Sequence, residues 1–381
     1  MSNPMSTPIS TNRMPFRADH VGSLLRPAEL REAREAFIAG AFDRGRLREL
    51  EDRHIRNAVR MQEDAGLQAI SDGEFRRTSF HFDFLGQLDG VEAKLELGPR
   101  NEDPSQPKVF RPPQLAITGK LAHVRPIELE GFQFLKSQTR RTPKTAIPSP
   151  TMCLRGGRKA VSETAYPDLE VYYRDVAAAF GAEISALANA GSTYIQFDDT
   201  NFAYLCDATM REEMRARGDD PDAALALHIR MFNMVLAQRP AGMTFTTHIC
   251  RGNFHSRWAA SGGYEPVAEK LFGELNVDGF LLEYESERAG GFEPLRFLPK
   301  DGKKRVVLGL ISSKVPEMED MDTLRRRIDE AARFAPLDQL CISPQCGFAS
   351  SFRGNQLGED VQRRKLELTV RTAEKVWGAA A

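Results

Sequence analysis

The chain has 381 residues, of which 41% are hydrophobic and 28% are charged, and its net charge at pH 7 is −1. This balance supplies no field that would gather nucleic acid, and the absence of a long apolar run excludes a transmembrane segment, so neither nucleic acid nor a membrane is an expected partner. Five cysteines are too few, and odd in number, for a disulfide framework, which favours a cytoplasmic protein whose cysteines are thiols or metal ligands.

The first 15 residues are rich in Ser, Thr, Pro and Asn and lack the apolar stretch of a secretory signal. They predict a flexible N-terminal arm, followed by a single catalytic domain over residues 16–381. Within that domain, Pro27–Ala65 has helical periodicity, and Gly66 stands where a helix can end before the next strand.

Short apolar segments rich in β-branched residues recur along the domain, and long amphipathic stretches follow most of them. Eight are predicted strands: His20–Leu24, Leu67–Glu74, Thr145–Ser149, Tyr194–Asp198, Thr244–His248, Gly279–Glu283, Arg305–Ile311 and Leu340–Ser343. This alternation indicates an α/β fold with a parallel sheet, either open and doubly wound or closed. Eight strands without a Gly-rich dinucleotide turn favour a closed (β/α)8 TIM barrel. The Pro-rich, polar segment at residues 86–144 predicts a β-rich insertion after the second strand.

Ionisable and hydroxyl residues stand at the carboxyl ends of most predicted strands, where the active sites of such barrels lie. His248 and Cys250 are two apart on an extended segment, so both can face one metal ion. With Glu283 and Cys346, which follow later strands, they form a donor set suited to tetrahedral zinc. Glu285 is the main rival of Glu283. Zinc would convert a substrate thiol into a nucleophile near neutral pH.

Seven segments carry a resemblance to a known family: RADHVGSLLRP, ISDGEFRR, YIQFDDTNFAYL, HICRGN, GFLLEYESERAG, VVLGLISSKVPEMED and LCISPQCGFAS. The chain resembles cobalamin-independent methionine synthase, in a short form that corresponds to the C-terminal catalytic barrel of the long enzymes. In that family, zinc activates homocysteine for attack on the methyl group of 5-methyltetrahydrofolate. The resemblance implies the same four ligands, His248, Cys250, Glu283 and Cys346.

The resemblance also implies an amino-acid pocket. Ser23 and Glu74 match residues that hold the two ends of homocysteine, and Asp198 matches a carboxylate that binds the amine. We add His20, from the same strand as Ser23, to the predicted substrate-binding residues. Glu74 and Asp198 are also the predicted catalytic residues. The expected partners are homocysteine and a methyl donor, and the chain is compatible with a homodimer.

The resemblance leaves the second substrate open. The long enzymes carry a His that is proposed to protonate the departing folate, where this chain has Ile311 followed by Ser312, Ser313 and Lys314. The family's short branch also includes proteins that join an epoxyalkane to coenzyme M. A zinc-dependent alkyl- or epoxide-to-thiol transferase is therefore an alternative, with Lys314 or Arg76 available for a sulfonate. A non-catalytic zinc-stabilised barrel is a third hypothesis.

Overall fold

The computed structural model describes residues 13–94, 114–253 and 256–381. Most of the predicted N-terminal arm, residues 1–12, and part of the predicted insertion, residues 95–113, lie outside these described residues. The strands are β1 (Ala69–Ile70), β2 (Asp89–Lys94), β3 (Gln114–Ala122), β4 (Thr142–Pro148), β5 (Tyr194–Asp199), β6 (Thr244–Ile249), β7 (Gly279–Glu283), β8 (Arg305–Ile311) and β9 (Leu340–Pro344).

Seven of these strands form one curled parallel sheet in the order β1-β4-β5-β6-β7-β8-β9, while β2 and β3 form an antiparallel pair. The helices are α1 (Ala28–Ile38), α2 (Arg44–Asp64), α3 (Phe82–Leu85), α4 (Leu129–Gln138), α5 (Leu169–Asn189), α6 (Asn201–Tyr204), α7 (Ala208–Ala216), α8 (Pro221–Leu236), α9 (Glu265–Glu274), α10 (Met321–Ala331) and α11 (Glu359–Trp377). This is an α/β architecture consistent with a TIM-like barrel. Across the described part of the chain, no helix combines the length and apolar character needed to cross a membrane.

Four strands of the large sheet are buried over their whole length, and β7 and β8 are also almost entirely apolar. Every residue of β5, β7, β8 and β9 is buried. Parallel strands covered on both faces require such continuous burial, which explains the unbroken apolar runs. Side chains of Val21, Leu281, Val307 and Cys341 form a separate buried cluster, in which Cys341 is the small apolar residue that its position in β9 predicts.

The predicted helical segment over residues 27–65 is two helices. Gly40 has a φ of +73°, which ends the first helix, and the Asp43 side chain accepts a hydrogen bond of 2.9 Å from the backbone N–H of Arg46 at the start of the second. Gly66 has a φ of +95° and follows the second helix, as predicted. The periodicity therefore identified the helices but not the break between them.

The first predicted strand, His20–Leu24, is wrong as a strand, and the bridge nearest to it is an isolated parallel one between Ala18, which precedes the segment, and Ile342. Gly22 has a φ of +130°, which interrupts the extended backbone. Side chains replace the missing ladder, because the carbonyl of Val21 accepts from Gln196 at 2.6 Å and that of Gly22 accepts from Ser71 at 2.6 Å. These bonds satisfy buried carbonyls without a neighbouring strand.

The segment from 86 to 144 contains the β2–β3 pair, helix α4 and the first residues of β4. It packs onto the remainder of the chain, since Ser162 donates its backbone N–H to the carbonyl of Ile117 in β3 at 2.8 Å. The described part of the segment therefore has an antiparallel strand pair, then a helix, then the start of β4. Its status as an insertion stays a prediction.

Candidate metal centre and adjoining pocket

Four buried side chains from three strand ends meet at one point. His248 lies near the end of β6 and Cys250 directly follows that strand, while Glu283 ends β7 and Cys346 follows β9. One ligand atom of each residue lies within 4.8 Å of the others, and the two sulfur atoms of Cys250 and Cys346 are 3.5 Å apart. The carboxyl ends of parallel strands meet at one edge, which is how residues about 100 positions apart converge.

The neighbours of these side chains hold them in a binding orientation. His248 Nδ1 lies 3.2 Å from the carbonyl of Leu281, and its buried Nε2 has no well-aligned hydrogen-bond partner among the described residues. Glu283 accepts from the backbone N–H of Arg251 at 2.6 Å and from Gln345 Nε2 at 2.8 Å. A ring nitrogen fixed on one side and unpaired on the other is the arrangement of a metal-ligating imidazole.

The electrostatics of this group also fit a cation. The hydrogen bond between the two thiols raises the pKa of Cys250 well above its usual value and lowers that of Cys346 well below it. Burial lowers the pKa of His248, but the nearby sulfur of Cys346 outweighs burial and brings the pKa to about 9. The anionic sulfur of Cys346 needs a positive neighbour; protonated His248 provides one, and a metal ion bound to the neutral ring would provide it instead. The donor set of one nitrogen, two sulfurs and one oxygen fits zinc.

The structure separates the two candidate glutamates. Glu285 is outside the four-residue group, and its carboxylate pairs with Arg288 and accepts from Ser286 Oγ at 3.1 Å. Arg288 also donates to Glu283 Oε2 at 3.1 Å, so it joins the two carboxylates. The geometry places Glu283, and not Glu285, with the histidine and the cysteines.

Two further buried carboxylates adjoin the group. Asp198 pairs in register with His248 across β5 and β6, and its Oδ1 accepts from Gln196 Nε2 at 2.7 Å. Burial raises the pKa of Asp198 to about 6. Burial, opposed by Arg77 and reinforced by the charge of Asp198, raises the pKa of Glu74 to about 8. Two carboxylates that resist ionisation together are suited to receiving a substrate ammonium group.

Ser23 lies against the loop that carries Cys346. Its carbonyl accepts from the backbone N–H of Phe348 at 2.9 Å, and its Oγ accepts from that of Ala349 at 3.4 Å. A Cβ on Gly347 would lie 1.9 Å from Ser23 Oγ, so glycine is required for the approach. Ser23 is thereby placed beside the metal group.

His20 is held elsewhere. Its Nε2 lies 3.0 Å from the carbonyl of Ala69, and burial, followed by the charge of Lys144, lowers its pKa to about 4. The ring is therefore neutral. Among the described residues its contact is with backbone rather than with the other predicted pocket residues, so its role in substrate binding stays a prediction.

Sequence reasoning named Lys314 but missed Asn253 at this site. Asn253 Nδ2 lies 3.8 Å from the sulfur of Cys346 and donates to the carbonyl of Gly347 at 2.8 Å. Lys314 Nζ donates to the carbonyl of Gly252 at 2.8 Å. Asn253 lies three residues after Cys250 in the HICRGN segment, so the sequence could have indicated that it lies near the site. Its contact with Cys346 could not be predicted from the sequence.

The sequence also matches a known protein family. The family described as cobalamin-independent synthase, catalytic domain, matches residues 16–375. The chain belongs to this family. The match covers nearly the whole chain with the catalytic-domain type of cobalamin-independent methionine synthases.

Individual proteins and one solved structure are similar to this chain. YxjH, an uncharacterized protein of Bacillus subtilis, is 45% identical, and the match covers 96% of each chain. A Listeria monocytogenes crystal structure provisionally described as a vitamin-B12 independent methionine synthase is 38% identical with a TM-score of 0.76, and the match covers 96% of this chain and 98% of that one. The 5-methyltetrahydropteroyltriglutamate–homocysteine methyltransferase of Bacillus velezensis is 22% identical over 86% of this chain but only 39% of its own length. The chain therefore spans less than half of that long enzyme.

Proposed function

We propose that this protein is a zinc-dependent methyltransferase that converts homocysteine to methionine. The observation that carries the proposal is the convergence of His248, Cys250, Glu283 and Cys346 to within 4.8 Å, beside the buried carboxylate of Asp198. The family membership supports a methionine synthase-like reaction. A purely structural zinc site closes its coordination away from any substrate cleft, whereas this group has the carboxylate of Asp198 next to it, paired in register with His248.

One set of side chains would bind the metal, and its neighbours orient that set. His248 Nε2, the two sulfurs and the Glu283 carboxylate would hold the zinc. When bound, zinc stabilises the thiolate form of a substrate thiol near neutral pH. Arg251 and Gln345 orient the Glu283 carboxylate through hydrogen bonds of 2.6 and 2.8 Å. Burial of the whole group excludes water that would solvate the sulfur nucleophile.

The amino-acid end of the substrate would be held by the adjoining pocket. Glu74 and Asp198 would bind the ammonium group, because a positive charge between two buried carboxylates restores their ionised forms. Ser23 would donate its hydroxyl to the substrate carboxylate. Binding both ends orients the sulfur toward the methyl carbon, and orientation is a large part of the rate enhancement in group transfer.

An amino-acid thiol is favoured over a sulfonate thiol by the contacts of Arg76. This guanidinium pairs with Asp52 at 2.7 Å and with Glu51 at 3.2 Å, and it stacks over the ring of Phe134 at 4.9 Å. Lys314, the other predicted sulfonate ligand, donates to the carbonyl of Gly252. Both cations are engaged by the protein itself, which weighs against the epoxyalkane alternative. The methyl donor is proposed to be 5-methyltetrahydrofolate or another methylated compound.

The test combines metal analysis with product formation. We expect one zinc per chain by elemental analysis and methionine from homocysteine with 5-methyltetrahydrofolate or other methyl donors. A double variant, Cys250→Ser with Cys346→Ser, is expected to lose both. Cys153→Ala is the matched control, because Cys153 is a buried free cysteine outside the metal group. Methyl transfer that survives in the double variant refutes zinc activation.

A further inference from the structure

The loop between β3 and α4 is tied to the body of the protein by one buried carboxylate. Glu183, on α5, is fully buried and accepts the backbone N–H of Glu128 at 2.7 Å and that of Ile127 at 2.8 Å. Its second oxygen also lies 2.6 Å from His123 Nε2. This anchoring fixes the backbone at Glu128, so the direction of the Glu128 side chain is set by α5 rather than by the loop.

Glu128 in turn contacts a buried arginine that reaches the substrate pocket. Glu128 Oε2 lies 3.1 Å from Arg77 NH2, and Arg77 NH1 lies 3.6 Å from Glu74 Oε2. The Arg77 side chain is only 8% exposed, and its NH2 also donates to the carbonyl of Ala146. The planar guanidinium is thus held between two carboxylates, a geometry that a rigid fork supports and a flexible ammonium does not.

Glu74 is a residue whose orientation needs such support. Its φ of +58° lies in the left-handed region, which is uncommon for a residue with a side chain. The surroundings hold this conformation, since its N–H donates to Asp72 Oδ1 at 2.8 Å and its carbonyl accepts from Arg26. An unusual backbone retained by several polar contacts at a pocket is typical of functional positions.

We infer that Arg77 and Glu128 are positioning residues: Glu128 fixes Arg77, and Arg77 holds the Glu74 carboxylate in the direction and charge state that receive the ammonium group of an amino-acid thiol. This inference rests on the proposed function. The charged groups that face Glu74 are Arg77 and Arg26, which favour its ionised form, and Asp198 and Asp72, which oppose it. Glu128 also shares the small cavity beside Glu74 with Arg77, Gly131 and Phe132, so the described end of segment 86–144 forms one wall of the substrate pocket.

The experiment measures discrimination between two thiols that differ only in the ammonium group. Homocysteine and 4-mercaptobutyrate are titrated into the zinc-loaded protein by calorimetry, a readout independent of turnover. The wild-type protein is expected to bind homocysteine more tightly. Glu128→Gln is expected to reduce this preference about tenfold while leaving 4-mercaptobutyrate binding unchanged. Arg77→Lys, which keeps the charge but not the fork, is expected to reduce it similarly.

The controls separate positioning from folding and from the proposed function. Glu163→Gln changes a carboxylate that is 82% exposed and is expected to keep the wild-type preference. Glu128→Asp, which keeps the negative charge, is expected to restore part of it. If Glu128→Gln and Arg77→Lys both keep the wild-type preference for homocysteine, the inference is wrong and the proposed function still stands. The same holds if the variants bind homocysteine and 4-mercaptobutyrate equally more weakly. A wild-type protein that does not distinguish the two thiols overturns the proposed amino-acid substrate and the inference with it.

Discussion

The ionisation of Glu74 makes a quantitative prediction about stability. Burial raises its pKa to about 8, against 4.5 for an ordinary glutamate. Because the folded-state pKa lies above the unfolded one, the contribution of Glu74 to stability is complete below about pH 4.5 and is lost as the pH rises through about 8. Replacement by glutamine leaves a neutral group of the same size that does not titrate. The variant Glu74→Gln is therefore expected to become more stable, relative to wild type, as the pH rises.

The size of the effect follows from the two pKa values. One pKa unit corresponds to about 1.4 kcal/mol, so the difference between wild type and Glu74→Gln should grow by on the order of 3 to 5 kcal/mol between pH 4.5 and pH 8.5. That change is a large fraction of the 5 to 15 kcal/mol that stabilises a typical domain, in the order-of-magnitude sense. The charges of Glu74 and Asp198 interact, so the titration of Asp198 also changes in Glu74→Gln, and the measured difference belongs to the pair of carboxylates.

The assay is urea unfolding of both proteins at several pH values without substrate, with zinc and ionic strength constant. Glu163→Gln is the matched control, because its carboxylate is 82% exposed and its curve should parallel that of wild type. Parallel curves for wild type and Glu74→Gln across this pH range would refute the reasoning, because they would mean that Glu74 ionises as readily in the folded chain as in the unfolded one. The same variant is expected to lose its preference for homocysteine over 4-mercaptobutyrate.

Three further predictions concern the metal group and the pocket. Glu283→Gln should weaken zinc binding by at least about 10- to 100-fold in a chelator competition, the loss typical even of a residue that only hydrogen-bonds a ligand, while Glu285→Gln should leave it within a few-fold of wild type. Equal effects of the two variants would contradict the ligand assignment. Gly347→Ala should cost about 1 to 3 kcal/mol of stability and raise the KM for homocysteine with zinc content unchanged, because the new Cβ would lie 1.9 Å from Ser23 Oγ; a wild-type KM would argue against a role for Ser23. At pH 7, homocysteine binding should release more protons than 4-mercaptobutyrate binding, because both thiols ionise at the zinc but only the ammonium of homocysteine lowers the raised pKa of Glu74. The release is measured as the variation of the calorimetric heat with the ionisation enthalpy of the buffer, and equal release by the two thiols would exclude this coupling.

Much of the architecture was predictable because its signals are local. Gly279–Glu283 and Arg305–Ile311 were predicted with the bounds that β7 and β8 have, since fully buried parallel strands are continuous apolar runs. His248 and Cys250 were predicted to share a face because residues two apart on an extended segment point the same way. The first predicted strand failed because Gly22 and the side chains of Gln196 and Ser71 satisfy that backbone in another way.

The sequence by itself determined the strands of the large sheet, the chemical types of the proposed ligands and the family to which they point, because hydrophobic runs and closely spaced motifs depend on neighbours along the chain. Only the tertiary structure placed Glu283, and not Glu285, beside the histidine and the two cysteines, and only it brought Glu128 against Arg77. Those contacts depend on the relative placement of strand ends and of a loop anchored on a distant helix. The hydrogen bonds and ion pairs that set this placement act across 50 or more residues and leave no periodic signal in the sequence.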